Sequence, residues 1–472
     1  MTGPNYQQLE QVILQLNQAV IERDQTILEQ QKAIQELKTK VAQFELKFNQ
    51  NSRNSSNPPS KDRKGNTPAR KPSGKKKRPH HKGAGRKPLS EDMVTSRETR
   101  VIDKCPRCRS EMQTTGDSTK WQQVDLPPIK PLVHEIELKT CKCSKCGLVQ
   151  TPKLEEHEKP LMKANLEGFV NLLMGRFRYS HHAVRSFISL LIPGLDLSQG
   201  LISKVKKRGA HAFEKATEEL MPAILNTPGA KFIDATGWRH MGTNYQLLIF
   251  RSARVCRYLF RSNQNGDTIA AILPGGVDHL VTDRGLAIRK TNVTHLQYCL
   301  AHLLRNIQGV AEDRQVSIGE TQTLGKIYEA LQQLFHEQHR YDRSEITGAT
   351  WKQNSYRKWA WMREMFESLL ETTSYCVLRR FCRRVLRGWK HFMVYLARYG
   401  PMTNNLAEEG LRNLVIARKL CFGSRSSYGL QWREVVHSCI ETLQRQGKAM
   451  MSFFAETIQS FRMGTPRPSL VY

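Results

Sequence analysis

The sequence has none of the long apolar runs that a membrane-spanning protein would need. Its most apolar stretch, FISLLIPGL at 187–195, is broken by Pro193 and is far shorter than the ~20 residues that span a bilayer. The N-terminus has no basic region followed by an apolar one, so we expect no secretory signal. Five of the eleven cysteines lie between 105 and 146. Without a signal, this clustering favours metal binding in a reducing cytoplasm over a disulfide framework.

Acidic residues are also scarce relative to basic ones. The chain of 472 residues has 73 Lys and Arg against 43 Asp and Glu, which gives a formal net charge of +30. This excess favours a polyanionic partner, either nucleic acid or, less often, an anionic membrane surface. The length predicts about three domains. A hydrophobic content of 39% excludes a wholly disordered protein.

Residues 9–48 follow a heptad repeat. The a positions are Ile13, Val20, Ile27, Ile34, Val41 and Phe48, and the d positions are Leu9, Leu16, Arg23, Gln30, Leu37 and Phe44. β-Branched residues at a favour a parallel dimer. We predict a multimerisation coiled coil over 1–50; the alternative is an amphipathic helix that packs on its own protein.

A basic segment follows the heptads. Residues 51–90 contain thirteen Lys and Arg and a single acid, Asp62, with almost no apolar side chains. Such a segment cannot bury enough surface to fold, so we predict a disordered linker over 51–92. It is either a solvated spacer or an arm that neutralises phosphates without reading sequence. The candidate nucleic-acid contacts are Lys75, Lys76, Lys77 and Arg78.

Two CxxC pairs lie in the next segment, 93–155. Cys105 and Cys108 form the first pair, and Cys143 and Cys146 form the second, with strand-like alternation between them. Each CxxC turn presents two thiolates to one ion, so we predict a tetrahedral zinc site in a zinc ribbon, with Cys141 as a spare. Four thiolates leave no open position, and this zinc would be structural.

Residues 156–227 have a helical pattern that includes a helix, a short turn and a second helix. Ser198 is a plausible N-cap for the second helix, whose cations are Lys204, Lys206, Lys207 and Arg208. This arrangement is compatible with a helix-turn-helix that reads the major groove. An ordinary helical hairpin explains it equally well.

After 228 the apolar period changes to two. KFIDATGW, YQLLIFRSA, RVCRYLFRS and DHLVTDRG predict four strands, with Gly242 and Asn244 marking the first turn. We predict the first part of a core domain over 228–305, a helical insertion over 306–400, the final core helix over 401–430, and a C-terminal helix with a tail over 431–472. The fold class is a multidomain mixture of α+β and α/β.

Three acids could form a metal site. Asp234 is predicted to end the first strand, Asp283 to end the fourth, and Glu408 to begin a helix. Carboxylates suit Mg²⁺, and two ions between them would support phosphoryl transfer. Each also has a plain explanation: strand-end Asp residues form turns, and Glu408 could belong to a capping box with Asn405. Rival acids are Asp267, Asp278 and Glu409.

Further candidates surround this constellation. Cys299 and His302 form C-x2-H, which suggests a position behind the metal site or a ligand pair for a further metal; core packing is the alternative. We place Asn405 with this supporting group. Arg418 and Lys419 are candidate phosphate contacts. Arg412 could act with them, or could simply pair with Glu408 one turn away.

The ordered set of motifs resembles the insertion-sequence-66-type DDE transposases of bacteria over most of the chain. The matching pieces are the heptads, NSSNPPSKD, the CxxC pairs, LDLSQGLIS, IDATGWR, VTD, CLAHLLRNI and NNLAEEGLRNLVIARKLCFGS. The resemblance implies an RNase-H-like mixed-sheet catalytic domain with a helical insertion between the second and third acids. It implies that Asp234, Asp283 and Glu408 are those three acids.

The sequence departs from the family pattern near the site. Ala235 stands where the family commonly has an acid, and Glu409 where it usually has Arg. Leu300 replaces a usual Trp, and ARKL replaces Gly-Arg-Lys-Asn. Ala235 would point to the opposite face of the strand from Asp234. Glu409 makes the choice of the third acid less certain.

The resemblance implies a transposase that uses Mg²⁺ or Mn²⁺ together with structural Zn²⁺. It would cut double-stranded DNA at the terminal inverted repeats of its element and join the freed 3′-hydroxyl to target DNA. We expect a cytoplasmic, nucleoid-associated homodimer or higher multimer, with possible accessory proteins from the same element and no membrane. The alternatives are a decayed or repurposed DNA-binding protein and an RNase-H-type nuclease without strand transfer.

Overall fold

The structure is a computed structural model that describes residues 6–49, 88–125, 129–284, 288 and 290–471. The predicted phosphate-binding run Lys75, Lys76, Lys77 and Arg78 lies outside these residues.

A single long helix forms the N-terminal segment. Helix α1 spans Tyr6–Asn49, which contains the whole heptad region. The a-position side chains of Ile13, Val20, Ile27 and Ile34 are between 42% and 55% exposed. The apolar stripe is therefore largely uncovered in one chain, which leaves the coiled coil a prediction.

The cysteine region has little regular structure. It contains a 3₁₀ helix at Glu91–Met93 and a short antiparallel pair, β1 at Cys141–Lys142 and β2 at Val149–Gln150.

Five helices follow: α2 Ala164–Gly175, α3 His181–Leu191, α4 Gln199–Ala212, α5 Glu214–Glu218 and α6 Leu220–Asn226. The Ser198 hydroxyl accepts a hydrogen bond from the Leu201 amide at 3.1 Å. The predicted helix–turn–helix outline and its N-cap are confirmed.

A five-stranded mixed sheet occupies the centre of the fold. Its strands are β3 Lys231–His240, β4 Thr243–Arg251, β5 Cys256–Arg261, β6 Val277–Thr282 and β7 Val293–Tyr298, with α7 Gly266–Ile272 before β6. Their order is β5-β4-β3-β6-β7. The first three strands are antiparallel, whereas β6 and β7 run parallel to β3. Met241 and Gly242 both have positive φ and form the β3–β4 turn.

All four predicted strands are confirmed, and β7 was missed. Its sequence, VTHLQY, contains three polar side chains, Thr294, His295 and Gln297, within six residues. Gln297 is fully buried because its amide donates to the carbonyls of Tyr298 and Phe392 and its oxygen accepts from the Tyr395 amide. These hydrogen bonds make the burial of a polar side chain possible, and they arise from the tertiary fold, so no local sequence pattern predicts them.

The remaining elements are helical. The insertion consists of α8 Leu300–Ala311, α9 Ile318–Asp342, α10 Gly348–Thr372, α11 Cys376–Arg387, α12 Trp389–Phe392 and α13 Val394–Arg398. It has a core of its own, in which Trp351 and Trp359 are buried, so these rings serve packing. The chain ends with α14 Asn405–Cys421, α15 Ser427–Gln446 and α16 Met450–Met463.

The two faces of the sheet pack against different helices. Ile233 and Ala235 point toward a large core that includes residues of α2, α4, α15 and α16. Phe232, and by alternation Asp234, point to the other face, where α14 packs through Ala407 and Leu411. This arrangement confirms that Ala235 and Asp234 lie on opposite faces.

Helix α15 also closes the outer edge of β5. The amides of Cys256, Tyr258 and Phe260 point away from β4 and donate to side chains of α15 at 3.1, 2.9 and 3.0 Å. The acceptors are Thr442, Ser438 and Glu434 respectively. Two strand residues span ~6.8 Å and four helical residues span ~6 Å, so the two repeats match closely enough to pair.

Candidate active site

Asp234 lies where the pairing of the two central parallel strands ends. β3 pairs with β6 at Lys231–Leu280 and Phe232–Val281 and at no later position. β3 then continues, paired with β4 alone, as far as His240. The prediction that Asp234 ends its strand is therefore wrong, because the hairpin extends the strand by six residues. A cleft is expected at this point, because β3 has an antiparallel neighbour, β4, on one side and a parallel neighbour, β6, on the other.

The other two predicted acids come to the same place. Asp283 directly follows β6, and Glu408 lies in the first turn of α14. Helix α14 approaches the sheet closely, because a Cβ added at Gly410 would lie only 2.4 Å from Cδ1 of Ile249. The Tyr258 hydroxyl donates to the Gly410 carbonyl at 2.6 Å and fixes this approach.

The electrostatics of Asp234 show that the three acids share one environment. Burial raises the pKa of the Asp234 carboxyl to about 7, with further upward contributions from the charges of Asp283 and Glu408. A hydrogen bond from the Ala235 amide, at 2.8 Å, and the charge of Arg305 act in the opposite direction. The three carboxylates thus carry more negative charge than Arg305 alone balances, and a bound divalent cation would relieve that excess.

Two side chains of α8 contact Glu408. The Arg305 guanidinium donates to both carboxylate oxygens at 3.4 Å, and Nδ1 of His302 lies 3.4 Å from Oε1. Cys299, at the N-terminus of the same helix, completes a group with His302 and Glu408 whose potential ligand atoms all lie within 4.8 Å. Across the described ranges, the three acids themselves form no group this tight.

A buried asparagine links the site to the sheet. The side-chain amide of Asn404 donates to the Ile233 carbonyl at 2.9 Å, and its backbone amide donates to Sγ of Cys299 at 3.2 Å. The predicted supporting residue Asn405 is instead exposed. Helix α14 begins after Asn404, which makes no capping bond, so the capping-box explanation of Asn405 and Glu408 is wrong. The NN dipeptide gave no signal as to which Asn turns inward.

The rival acids have other partners. Asp267 pairs with Lys290 at 2.7 Å, and Asp278, at the opposite end of β6, pairs with Arg398. Glu409 points to Arg445, with an N–O distance of 3.3 Å. In the described residues Arg412 makes no ion pair with Glu408. These contacts favour Glu408 over Glu409 as the acid beside Asp234.

The two CxxC turns have the same backbone geometry. The Cys105 amide donates to the Ser110 carbonyl and the Cys143 amide to the Leu148 carbonyl, five residues on in each case. Arg109 and Gly147, each directly after its pair, have positive φ. Hydrogen bonds from Ser110 lower the pKa of Cys108 to about 7, and backbone N–H groups lower that of Cys143. Each pair is thus shaped to present thiolates, although the described cysteines do not gather into one group.

The predicted DNA-contacting cations differ in how available they are. Lys204 and Lys207 are exposed on α4. Arg208 pairs with the buried Glu167 at 2.9 Å, and Lys206 lies 4.9 Å from the centre of the Trp432 ring. On α14, Arg412 and Lys419 are exposed, whereas Arg418 donates to Thr236 of β3 at 3.1 Å.

An arginine-rich face of the insertion was missed. Helix α11 has the sequence CVLRRFCRRVLR, and its apolar side packs into the insertion core. Its exposed face carries Arg380, Arg383, Arg384 and Arg387. Arg284 directly follows Asp283, and its pKa is lowered to about 10, first by burial and then by the nearby charge of Arg384. The spacing of these arginines, read as a helical face, could have identified the surface.

Comparison with known families identifies the class of protein and then its family. Residues 103–147 match the zinc-finger binding domain of transposase IS66, and residues 185–431 match the Transposase IS66 family. The second match covers more than half of the chain, so the protein belongs to the IS66 family and is a DNA transposase. Residues 1–90 match a family of unknown function, DUF6444. No curated protein matches the chain. Among the described helices, none is long and apolar enough to cross a membrane.

Proposed function

We propose that this transposase is a DDE-type polynucleotidyl transferase that uses Asp234, Asp283 and Glu408. It hydrolyses a phosphodiester bond at each end of its element and joins the resulting 3′-hydroxyl to target DNA. The observation that carries this proposal is the convergence of three acids from β3, from the end of β6 and from the first turn of α14. They lie close enough that the charges of Asp283 and Glu408 add to the effect of burial in raising the pKa of Asp234.

The sheet supports an RNase-H-like catalytic domain. Three antiparallel strands are followed by two parallel ones on the other side of β3, in the order β5-β4-β3-β6-β7. This order places the point where the β3–β6 pairing stops beside the end of β6, and the resemblance to DDE transposases requires acids at these two positions. The insertion α8–α13 leaves the core after the second acid and returns before the third.

The donor set fits Mg²⁺ or Mn²⁺. Three carboxylates offer hard oxygen ligands, and their mutual repulsion is the cost that a cation would remove. When bound, such ions neutralise phosphate charge, activate the attacking oxygen and stabilise the leaving one. Among the described residues the three acids do not form a group as tight as that of Cys299, His302 and Glu408, and we propose that they hold a pair of ions rather than one shared ion.

The remaining site residues would position the acids. Asn404 holds the start of α14 against β3, and Arg305 orients the Glu408 carboxylate. In the first step a water oxygen attacks phosphorus and the 3′ oxygen leaves. That hydrolysis removes one phosphodiester bond. In the second step the freed 3′-hydroxyl attacks a target phosphodiester and the target 3′ oxygen leaves as a hydroxyl, so this step conserves the number of phosphodiester bonds and needs no covalent enzyme–DNA bond.

We propose that other segments bind and assemble. Cys105, Cys108, Cys143 and Cys146 would hold a structural Zn²⁺. Helix α4 would contact DNA through Lys204 and Lys207, helix α14 through Arg412 and Lys419, and the basic linker would add non-specific affinity. The heptads of α1 would pair two subunits so that both element ends are held together, with or without accessory proteins. The domain boundaries predicted from the sequence remain part of this proposal.

The arginine face of α11 would carry DNA toward the acids. Cations at one-turn intervals match a track of phosphates, and Arg384 lies nearest the catalytic side. Replacing Arg383 and Arg387 by Gln should weaken DNA binding and reduce the slope of log K against log salt by about 2. Arg340 lies on α9 and Arg343 lies directly after it, and both pair with Glu345. Replacing these two arginines should change the slope little.

The proposal is tested with purified protein, DNA carrying the terminal repeats, Mg²⁺ and a target plasmid. Cleavage followed by joining supports the proposal, and cleavage without joining would indicate a nuclease. If the intact protein binds DNA but never cuts, and triple replacement of the acids by Ala changes nothing, the catalytic proposal fails. No match to a known family favours a DNA-binding protein without catalytic activity.

A further inference from the structure

The pocket behind Glu408 contains a soft donor that the proposed magnesium chemistry does not use. Cys299 is only 2% exposed and occupies the N-cap of α8. Its sulfur accepts a hydrogen bond from the Asn404 amide at 3.2 Å. The backbone amides of Ala301 and His302 also interact with the sulfur. Burial raises the pKa of this thiol, and the N–H groups that converge on the sulfur only partly offset that effect. A cation bound beside the sulfur would therefore be needed to hold it as the thiolate, which is the form that binds metal.

A second donor in the same pocket has no hydrogen-bond partner. His302 is 9% exposed, and in the described structure its Nδ1 makes no hydrogen bond. That nitrogen faces the Glu408 carboxylate, 3.4 Å from Oε1. A buried ring nitrogen normally has a partner. Its position suggests that a cation between imidazole and carboxylate is the missing one.

The spacing is close to that of a transition-metal site. Sγ of Cys299, a ring nitrogen of His302 and a carboxylate oxygen of Glu408 all lie within 4.8 Å of one another. Around tetrahedral Zn²⁺, ligand atoms lie roughly 3.5 Å apart, given Zn–S and Zn–N bonds near 2.3 and 2.0 Å. Nδ1 of His302 and Oε1 of Glu408 are already 3.4 Å apart, so this pair needs little adjustment to share an ion. Sulfur and imidazole select Zn²⁺ or a similar ion over Mg²⁺.

We propose that Cys299, His302 and Glu408 form a second site for Zn²⁺ or a related soft divalent ion, with water as a fourth ligand. It is distinct from the CxxC module and shares Glu408 with the acidic site. Binding would release the thiol proton of Cys299. If the proposed function is correct, occupancy would take Glu408 from the magnesium site, so that soft ions switch catalysis off.

Metal counting on the full-length protein tests the site without reference to catalysis. Co²⁺ is titrated into metal-depleted wild-type protein and into three variants, Cys299→Ser, His302→Gln and the control Cys376→Ser on α11. Charge-transfer absorbance and equilibrium dialysis give bound ions per chain. We expect wild type and control to bind one equivalent more than Cys299→Ser and His302→Gln. Equal stoichiometry in all four, with unfolding midpoints showing that each is folded, would overturn the proposal.

The catalytic consequence is tested separately. Zn²⁺ is added to Mg²⁺-supported cleavage reactions, and each variant is normalised to its own rate without Zn²⁺. The half-inhibitory Zn²⁺ concentration should rise at least tenfold in Cys299→Ser and stay unchanged in Cys376→Ser. An extra bound ion without inhibition would contradict the shared role of Glu408 and leave the binding site itself supported.

Discussion

At the scale of single residues, the Asp234 carboxylate is a buried charge that the folded protein disfavours in the absence of a cation. Its pKa is raised from 3.8 to about 7, first by burial and then by Asp283 and Glu408. The folded state therefore keeps a proton that the unfolded chain has lost. The free energy of unfolding should fall as pH rises between about 4 and 7, and the loss is complete above pH 7.

Replacing Asp234 by Asn should therefore abolish cleavage and stabilise the metal-free protein. The gain in unfolding free energy should be on the order of a few kcal/mol at pH 8 and should shrink toward pH 4. Thermal or urea unfolding at the two pH values, without added Mg²⁺, measures it. Equal stability of wild type and Asp234→Asn at pH 8 would contradict the role given to this carboxyl.

Glu408 and Glu409 are adjacent but have different surroundings. Glu408 contacts His302 and Arg305, whereas Glu409 is exposed and pairs with Arg445. Glu408→Gln should lower the cleavage rate by at least ~10²-fold, as expected when a group that acts on the reacting phosphate is lost. Glu409→Gln should lower it less than about threefold. A reversed order in single-turnover assays would assign the third acid to Glu409.

At the scale of elements, α15 stabilises the sheet by pairing with an edge that would otherwise be open. Ser438 and Thr442 are fully buried, and each accepts a bond from a β5 amide. Thr442→Val should cost ~1–3 kcal/mol because the Cys256 amide is left without its acceptor. Thr457→Val on α16 is the matched control, since its hydroxyl only donates to a carbonyl of its own helix. Equal losses of stability in both variants would rule out the edge contribution.

The CxxC turns make a second prediction at this scale. Cys143 and Cys146 form a turn like that of Cys105 and Cys108, whereas Cys141 lies in β1. Cys146→Ser should therefore lose bound zinc and sensitivity to chelators, while Cys141→Ser should keep both. Atomic emission of the purified variants measures the metal content. Full zinc content in Cys146→Ser would show that the ligand set includes another donor.

At the scale of the whole molecule, the assembly depends on α1. The exposed a-position side chains gain burial only against another surface. A chain that starts at residue 88 should sediment as a single subunit, whereas the full chain should sediment as a dimer or higher multimer, and the shorter chain should join two element ends poorly. Its cleavage of a single end should be less affected. The same number of subunits per particle in both chains, measured by sedimentation velocity, would mean that subunits associate elsewhere.

Local pattern was enough to predict part of this architecture. The alternation of FID and the turn at Gly242 predicted a hairpin, and the 3.6-residue periods predicted the helices. Prediction from local pattern failed where tertiary contacts determine which side chains are buried and how long a strand is. Gln297 makes a polar strand buried, Asn404 rather than Asn405 faces the core, and the length of β3 depends on β4. The acids themselves were predicted because motif order, rather than periodicity, identified them.

The way in which the insertion joins the core has a consequence for how such proteins diversify. The Leu300 amide donates to the Met402 carbonyl at 3.0 Å, so the two ends of a segment of about a hundred residues meet beside Glu408. Closing a longer loop costs only ~0.6 kcal/mol per doubling of its length. The segment can therefore be lengthened, shortened or exchanged as a cassette while the acids stay in register. Natural relatives and engineered chimeras should therefore differ most in the length and sequence of this segment. They should differ least in the elements that flank it, β7 and α14.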